Sequence, residues 1–188
     1  DIFNSIICIT GAGGSIGSEL CTQLVKLNPH KIILIEQSEH ALYEINNKLS
    51  KLKNHDTEII SCLGDCSDFS FLESIFKKYP IKIILHAAAY KHVPIVEKNP
   101  LTGIANNVFS TKELCLIAIK FNVKKMMFIS TDKAVRPSSI MGASKRLAEL
   151  IMIYLSINHL KNHDSQCFSM VRFGNVLGSS GSVVPLFN

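Results

Sequence analysis

Three groups of residues in this 188-residue chain combine side chains and spacing that can do chemistry. The first is Thr10-Gly11-Ala12-Gly13-Gly14-Ser15-Ile16-Gly17, which follows an apolar β-rich run and opens a segment of helical period. Glycines at such a turn permit positive φ and let backbone N–H groups approach a pyrophosphate, while the helix N-terminus favours the anion. Glu36 ends the next β-rich run, about twenty residues on, where a carboxylate accepts from a ribose hydroxyl. A dinucleotide site built from Gly11, Gly13, Gly14, Ser15, Ile16, Gly17 and Glu36 is therefore expected. A carboxylate repels a 2′-phosphate, which favours NAD, while Ser38 and Lys31 nearby leave NADP open. Asp65 has two readings, an acceptor for the adenine amino group or an Asx turn or helix cap before Ser67 and Asp68.

The second group is His86-Ala87-Ala88-Ala89-Tyr90-Lys91-His92-Val93-Pro94. Small Ala87 and Ala88 let a cofactor lie against a strand end. Lys91 and His92 are expected to face the cleft as substrate contacts, with a solvated lysine and a surface-loop histidine as the rival readings. His86 reads as a strand-end histidine bonded to backbone rather than as a base. The third group joins Ser130-Thr131-Asp132-Lys133, at the end of a β-rich run, to the helix start Ser139-Ile140-Met141-Gly142-Ala143-Ser144-Lys145. Asp132 and Lys133 are adjacent titratable groups where a parallel strand ends, the place such sheets bind ligand. A salt bridge that merely caps the loop is the alternative.

These groups need a scaffold, and the apolar pattern supplies one. Ile6–Thr10, Lys31–Glu36, Glu58–Leu63, Ile83–His86, residues 125–130 and Cys167–Phe173 read as strands. Residues 16–27, 41–52, 69–78, 101–121 and 141–158 have the length and spacing of helices. Continuous apolar runs such as Ile-Ile-Leu-Ile at 32–35 need cover on both faces, which crossover helices on a parallel sheet provide. The fold class expected is α/β, a doubly wound parallel sheet forming one dinucleotide-binding domain over residues 1–188. From Gly174 to Gly181 the sequence becomes loop-like. A dinucleotide fold without a lobe over its cleft has half a substrate pocket, so a fragment of a longer protein is expected.

A hydrophobic content of 47% with 19% charge suffices for a buried core. The longest apolar stretch, 150–157, is too short to span a bilayer, and residues 1–7 lack the order of a signal peptide, so a cytoplasmic location is expected. The six cysteines are spread through strands and helices as small apolar side chains, and no disulfide framework is expected. Cys62 and Cys66 resemble half a metal site, but no second Cys or His pair stands at ligand spacing and His55 lies in a polar segment; no metal is expected. The net charge of +5 is scattered over lysines without interleaved aromatics, which suits solvated faces and a pyrophosphate-bearing substrate rather than nucleic acid.

The spacing Gly11-x-x-Gly14-x-x-Gly17 resembles the extended short-chain dehydrogenase/reductase family. In that family a strand-end hydroxyl and a Tyr-x-x-x-Lys on the following helix form the hydride-transfer site; this chain carries Met141 where the Tyr would stand, and a thioether takes no proton. The strings at 10–20, 36–39, 86–94, 130–135, 141–146 and 172–185 together resemble the polysaccharide-biosynthesis, CapD-like nucleotide-sugar 4,6-dehydratases, whose long members carry Met in place of that Tyr. Two departures are expected: Glu36 replaces the family's common Asp, and the family's C-terminal substrate lobe and any N-terminal membrane helices fall outside these residues.

The resemblance implies a UDP-N-acetylhexosamine, in the first instance UDP-N-acetylglucosamine, and a tightly held NAD or NADP regenerated in each turnover. C4 is oxidised, water leaves across C5 and C6, and the hydride returns to C6. It further implies Asp132 as the acid at C6, Lys133 as the base at C5, Thr131 on the C4 oxygen and Lys145 on the nicotinamide ribose. Asn175 would contact the nucleotide or sugar phosphate, with Ser179, Ser180 and Ser182 as further donors, and Asn107 resembles the family's buried helix asparagine, with a satisfied core amide as the alternative. A membrane anchor in the full-length protein and a homo-oligomer are compatible with this reading. Its rivals are a nucleotide-sugar 4-epimerase, which usually keeps the Tyr, and a cofactor-binding sensor without chemistry.

Overall fold

The computed structural model of the chain describes residues 2–52, 56–159 and 166–176. Strands β1 (Ile6–Thr10), β2 (Lys31–Glu36), β3 (Glu58–Leu63), β4 (Ile83–His86), β5 (Lys125–Thr131) and β6 (Cys167–Phe173) form one sheet in the order β3-β2-β1-β4-β5-β6. Every neighbouring pair is parallel. The strand order reverses direction at β1 and β4, and in open α/β sheets that switch point opens a crevice outside the strand ends.

Strand residues alternate faces, and here both faces are dry. Ile7, Ile9, Ile32 and Leu34 pack with Cys21 and Leu24 of α1 (Ser15–Val25) and with Leu42, Ile45 and Leu49 of α2 (Glu39–Ser50). Cys8, Ile33, Ile35 and Ile84 point the other way, against α3 (Phe69–Lys78), α6 (Ser110–Lys120) and α7 (Ile140–His159). Ile32 to Ile35 have no exposed surface, which is the two-sided burial their unbroken apolar run demands. Each such side chain contributes about 1.5–3 kcal/mol on leaving water.

The differences from the sequence reading have local causes. Helix α1 stops at Val25 rather than 27, because Asn28 turns left-handed at φ 50° and donates its N–H to Val25 O. Helix α2 begins earlier than expected, at Glu39, where the Ser38 side chain accepts from Ala41 N. An additional short helix, α4 (Val93–Lys98), follows the second chemical segment with Pro94 in its first turn, a position proline favours. The helix expected over 101–121 is three pieces in line: α5 (Pro100–Ile104), a π-turn (Ala105–Phe109) and α6. Strand β5 extends one residue beyond the expected 130, and Asp132–Ala134 form a 3-10 turn.

Candidate active site

A cleft of about 220 Å³ opens at the C-terminal ends of β1, β2 and β4. Gly11, Gly13, Gly14, Glu36, Asp65, Ala87 and Ala88 all line it. Its floor exists because two glycines carry no Cβ. Gly11 has φ +63°, and a Cβ there would lie 2.7 Å from Ala88 N; a Cβ on Gly17 would be driven into the Gly11 carbonyl. Ser15, Ile16 and Gly17 form the first turn of α1, the end of a helix whose dipole favours an anion. The Glu36 carboxylate reaches back to this loop, Oε2 accepting from Gly13 N at 3.1 Å and Oε1 from Gln37 N and Ser38 N. Asp65 forms the Asx turn, accepting from Ser67 N at 2.7 Å, while still lining the cleft; the cap of α3 is Asp68.

The wall nearest β4 is held by a buried polar frame. His86 has no exposed surface, stacks on Phe128, and bonds the hydroxyls of Thr10 (2.6 Å) and Thr111 (3.0 Å). Its partners are thus side chains rather than the expected backbone. Thr111 donates onward to Asn107 O at 2.9 Å, so a ring protonated on Nε2 completes the chain of donors. Burial first, and then the charge of Lys145, push the imidazole pKa down to about 3. His86 is a neutral spacer rather than a base at ordinary pH.

Asn107, in the middle of the π-turn, clamps the segment above it. Its Oδ1 accepts from Tyr90 N at 2.7 Å, and its Nδ2 donates to Tyr90 O and to Ser144 Oγ at 3.0 and 2.9 Å. The wider π-turn brings this amide to both the Ala89–Tyr90 stretch and the start of α7, and π-turns recur at functional sites for such reasons. Lys91 and His92 are exposed beyond it; His92 sits at the N-cap of α4 without a side-chain capping bond.

The third group converges at the ends of β5 and β6. Thr131 Oγ1 donates to Asp132 Oδ1 at 3.0 Å, and Lys133 Nζ donates to Asp132 Oδ1 at 3.2 Å and to Asn175 Oδ1 at 3.1 Å. The Thr131 hydroxyl and then the Lys133 ammonium hold the Asp132 carboxyl below its usual range. The salt bridge offered by the bland reading is therefore present, on side chains that remain open to solvent. Met141 is buried at the start of α7, where its carbonyl accepts from Ser144 Oγ at 2.7 Å. One helical turn on, Lys145 is buried too, its ammonium 2.8 Å from Ile129 O and 3.9 Å above the Phe128 ring. Burial lowers its pKa to about 7, against an opposing pull from Glu149. Ser179, Ser180 and Ser182 lie outside the described residues.

Several cleft residues were assigned no cofactor role from the sequence, among them Cys66, which was weighed there only as half of a metal site. Gln37 and Tyr90 face each other across the mouth, the amide donating to the phenol oxygen at 3.2 Å. Gly64, Cys66, Asn106 and Ser110 also line the cleft, with Ile35, Ala41 and Ala89. Gly64, directly after β3 and before Asp65, was findable as a glycine at a strand end; Asn106 and Ser110 were not, since their facing depends on the π-turn.

A family model described as "Polysaccharide biosynthesis protein" matches residues 7–188. The "Capsular polysaccharide biosynthesis protein CapD" of Staphylococcus aureus is 43% identical over 187 residues, covering 100% of this chain and 31% of that protein. A "UDP-N-acetylglucosamine 4,6-dehydratase (inverting)" of Campylobacter jejuni is 33% identical over 182 residues, and a "UDP-glucose 4-epimerase" of Rickettsia rickettsii 32% identical over 189; each match covers 96% of this chain and 52% of the relative. The chain thus spans about half or less of the length of these curated relatives. Among solved structures, the "X-ray structure of Pen from Bacillus thuringiensis" superposes with a TM-score of 0.90 at 30% identity, over 99% of this chain and 57% of that one. Matched from residue 7 to residue 188, the chain belongs to the polysaccharide biosynthesis protein family.

Proposed function

We propose that this chain is the dinucleotide-binding part of a nucleotide-sugar 4,6-dehydratase acting on a UDP-N-acetylhexosamine, UDP-N-acetylglucosamine first. The observation that carries the reading is the Thr131–Asp132–Lys133–Asn175 cluster, set at the strand ends beside the cleft, with a thioether at position 141. An elimination needs one group to take the C5 proton and one to protonate the departing C6 oxygen, and adjacent carboxyl and amine groups supply both.

The glycine cradle, the Glu36 carboxylate and the small residues Ala87 and Ala88 fit a dinucleotide, and Glu36 favours NAD over NADP by repelling a 2′-phosphate. Gly13, Gly14 and the first turn of α1 would hold its pyrophosphate, Glu36 a ribose, and Lys145 the ribose nearest the reacting ring. Such a dinucleotide, once held by these residues, would supply hydride-transfer chemistry, oxidation at C4 and reduction at C6.

The protein's own task is proton handling. At rest Asp132 is a carboxylate and Lys133 its ion-pair partner. Substrate that excludes water from this exposed pair favours its neutral form, because desolvation penalises both charges. Transfer of one proton across the 3.2 Å contact then gives a protonated Asp132 and a free amine on Lys133. These are the states that an acid at C6 and a base at C5 require. Thr131, bonded to the same carboxylate, would hold the C4 oxygen. Exposed Lys91 and His92, together with Asn175 on Lys133, would be the contacts for the sugar nucleotide.

In the full-length protein, Lys133→Met should abolish dehydration, by at least about a thousandfold, while dinucleotide affinity stays within threefold. Turnover at the wild-type rate in that variant would remove Lys133 from the chemistry. A 4-epimerase is the second reading, favoured by the Rickettsia relative at nearly the same identity. It has no use for a C5 base, so Lys133→Met would leave epimerisation largely intact.

A further inference from the structure

Glu149 on α7 has a side chain with no exposed surface, yet it is ionised. Burial works to raise its pKa, but hydrogen bonds from Arg172, Ser130 and Arg146 outweigh it and bring the group to about 2. Oε1 accepts from Ser130 Oγ at 2.6 Å and Arg172 Nε at 2.8 Å; Oε2 accepts from Arg172 Nη2 at 2.6 Å and Arg146 Nη1 at 3.0 Å. These contacts fill the lone-pair sites of a carboxylate. A buried ion pair adds little net stability compared with apolar packing, so its placement asks for another reason.

The placement is informative. Ser130 and Arg172 are register partners on β5 and β6. The residues that follow Ser130 are Thr131, Asp132 and Lys133, and those that follow Arg172 are Phe173, Gly174 and Asn175. One carboxylate therefore ties together the two strand ends whose next residues meet as Lys133 Nζ on Asn175 Oδ1. The same carboxylate lies one helical turn beyond Lys145. The groups that bear on the Lys145 ammonium are Glu149 on its own helix and neutral His86 on β4, with Arg146 and Arg172 behind Glu149.

We propose that Glu149 is the positioning residue of this site, fixing the ends of β5 and β6 so that Lys133 meets Asn175, with its charge one helical turn from the Lys145 ammonium that Ile129 O and Phe128 hold. The proposal rests on the dehydratase reading for what the positioned groups then do. Glu149 itself touches no reacting atom.

Glu149→Gln keeps the size and removes the charge, so its amide nitrogen faces a guanidinium. In the full-length protein labelled with [13Cε]lysine, NMR should show the Lys145 titration midpoint falling by about one pH unit, since the charge opposing desolvation is gone. At pH 7 kcat for dehydration should fall ten- to a hundredfold, with dinucleotide affinity and KM for the sugar nucleotide within threefold. Glu149→Asp, which keeps the charge, should return the Lys145 midpoint to within about 0.3 of wild type. An unmoved midpoint with unchanged kcat overturns the proposal, as does a loss of kcat accompanied by an equal loss of dinucleotide affinity. Should Glu149→Gln fail to fold, Arg172→Lys keeps a cation on the carboxylate but loses the two-pronged grip. It should lower kcat about tenfold with the Lys145 midpoint in place, and an unchanged kcat would overturn the proposal. A wild-type protein that performs no dehydration while Glu149→Gln still shifts Lys145 would leave the positioning intact and refute the functional reading.

Discussion

His86 shows how far a single buried side chain can set the behaviour of the site wall. Its folded pKa is about 3, below the ordinary 6.5, so between those values the unfolded chain binds a proton that the folded chain refuses. Stability attributable to His86 is therefore complete above about pH 6.5 and is lost as pH falls toward about 3. The opposing carboxylate, Glu149, is depressed to about 2 from 4.5, so its contribution is lost in a lower window. Between pH 6.5 and 5 the His86 part should amount to about 1.5 kcal/mol. His86→Gln keeps hydrogen-bonding capacity without titrating, and urea unfolding at the two pH values should show that slope flattened. An equally steep loss in the variant would assign the acid sensitivity elsewhere. Sequence alone placed His86 at a strand end and rejected it as a base, but its two threonine partners, Thr10 and Thr111, are 76 and 25 residues away and become neighbours only through the sheet and α6. Asp132 and Lys133 were legible as a pair because they are adjacent; the third member of their contact, Asn175, was read for a phosphate and is found on Lys133.

At the scale of elements, the strand-to-helix turn was the most legible part of the molecule, because glycine spacing reports backbone geometry directly. The prediction that belongs here is Gly17→Ala. The added methyl meets the Gly11 carbonyl, so the turn must open and the first turn of α1 must move off the anion site. NAD affinity measured by calorimetry in the full-length protein should fall more than tenfold; wild-type affinity would mean that the turn does not hold the dinucleotide. The π-turn at Ala105–Phe109 was not legible at all. Apolar periodicity over 101–121 fits one unbroken helix, and the inserted residue is stabilised by tertiary bonds from Asn107 to Tyr90 and Ser144 that no local pattern announces. Helix α4 was missed for a simpler reason: Val93-Pro94 was weighed as part of a chemical segment, although proline in a first turn is itself a helix signal.

Across the whole molecule, the parallel sheet follows from unbroken apolar runs alternating with amphipathic helices, while the strand order is set by tertiary packing, and the cleft falls where that order reverses. The cleft proposed for the dinucleotide lies over β1, β2 and β4, and the titratable cluster lies at the ends of β5 and β6. Relatives named as a dehydratase and as an epimerase match the chain at nearly the same identity, so the fold cannot by itself choose between reactions. The choice rests on Asp132, Lys133 and Met141. Incubating the full-length protein with UDP-N-acetylglucosamine and following the sugar nucleotide by mass spectrometry tests that choice most directly. Loss of one water per sugar, with no accumulation of reduced dinucleotide, is the result the proposed chemistry predicts; an unchanged mass with an altered sugar configuration would contradict it and make the protein an epimerase.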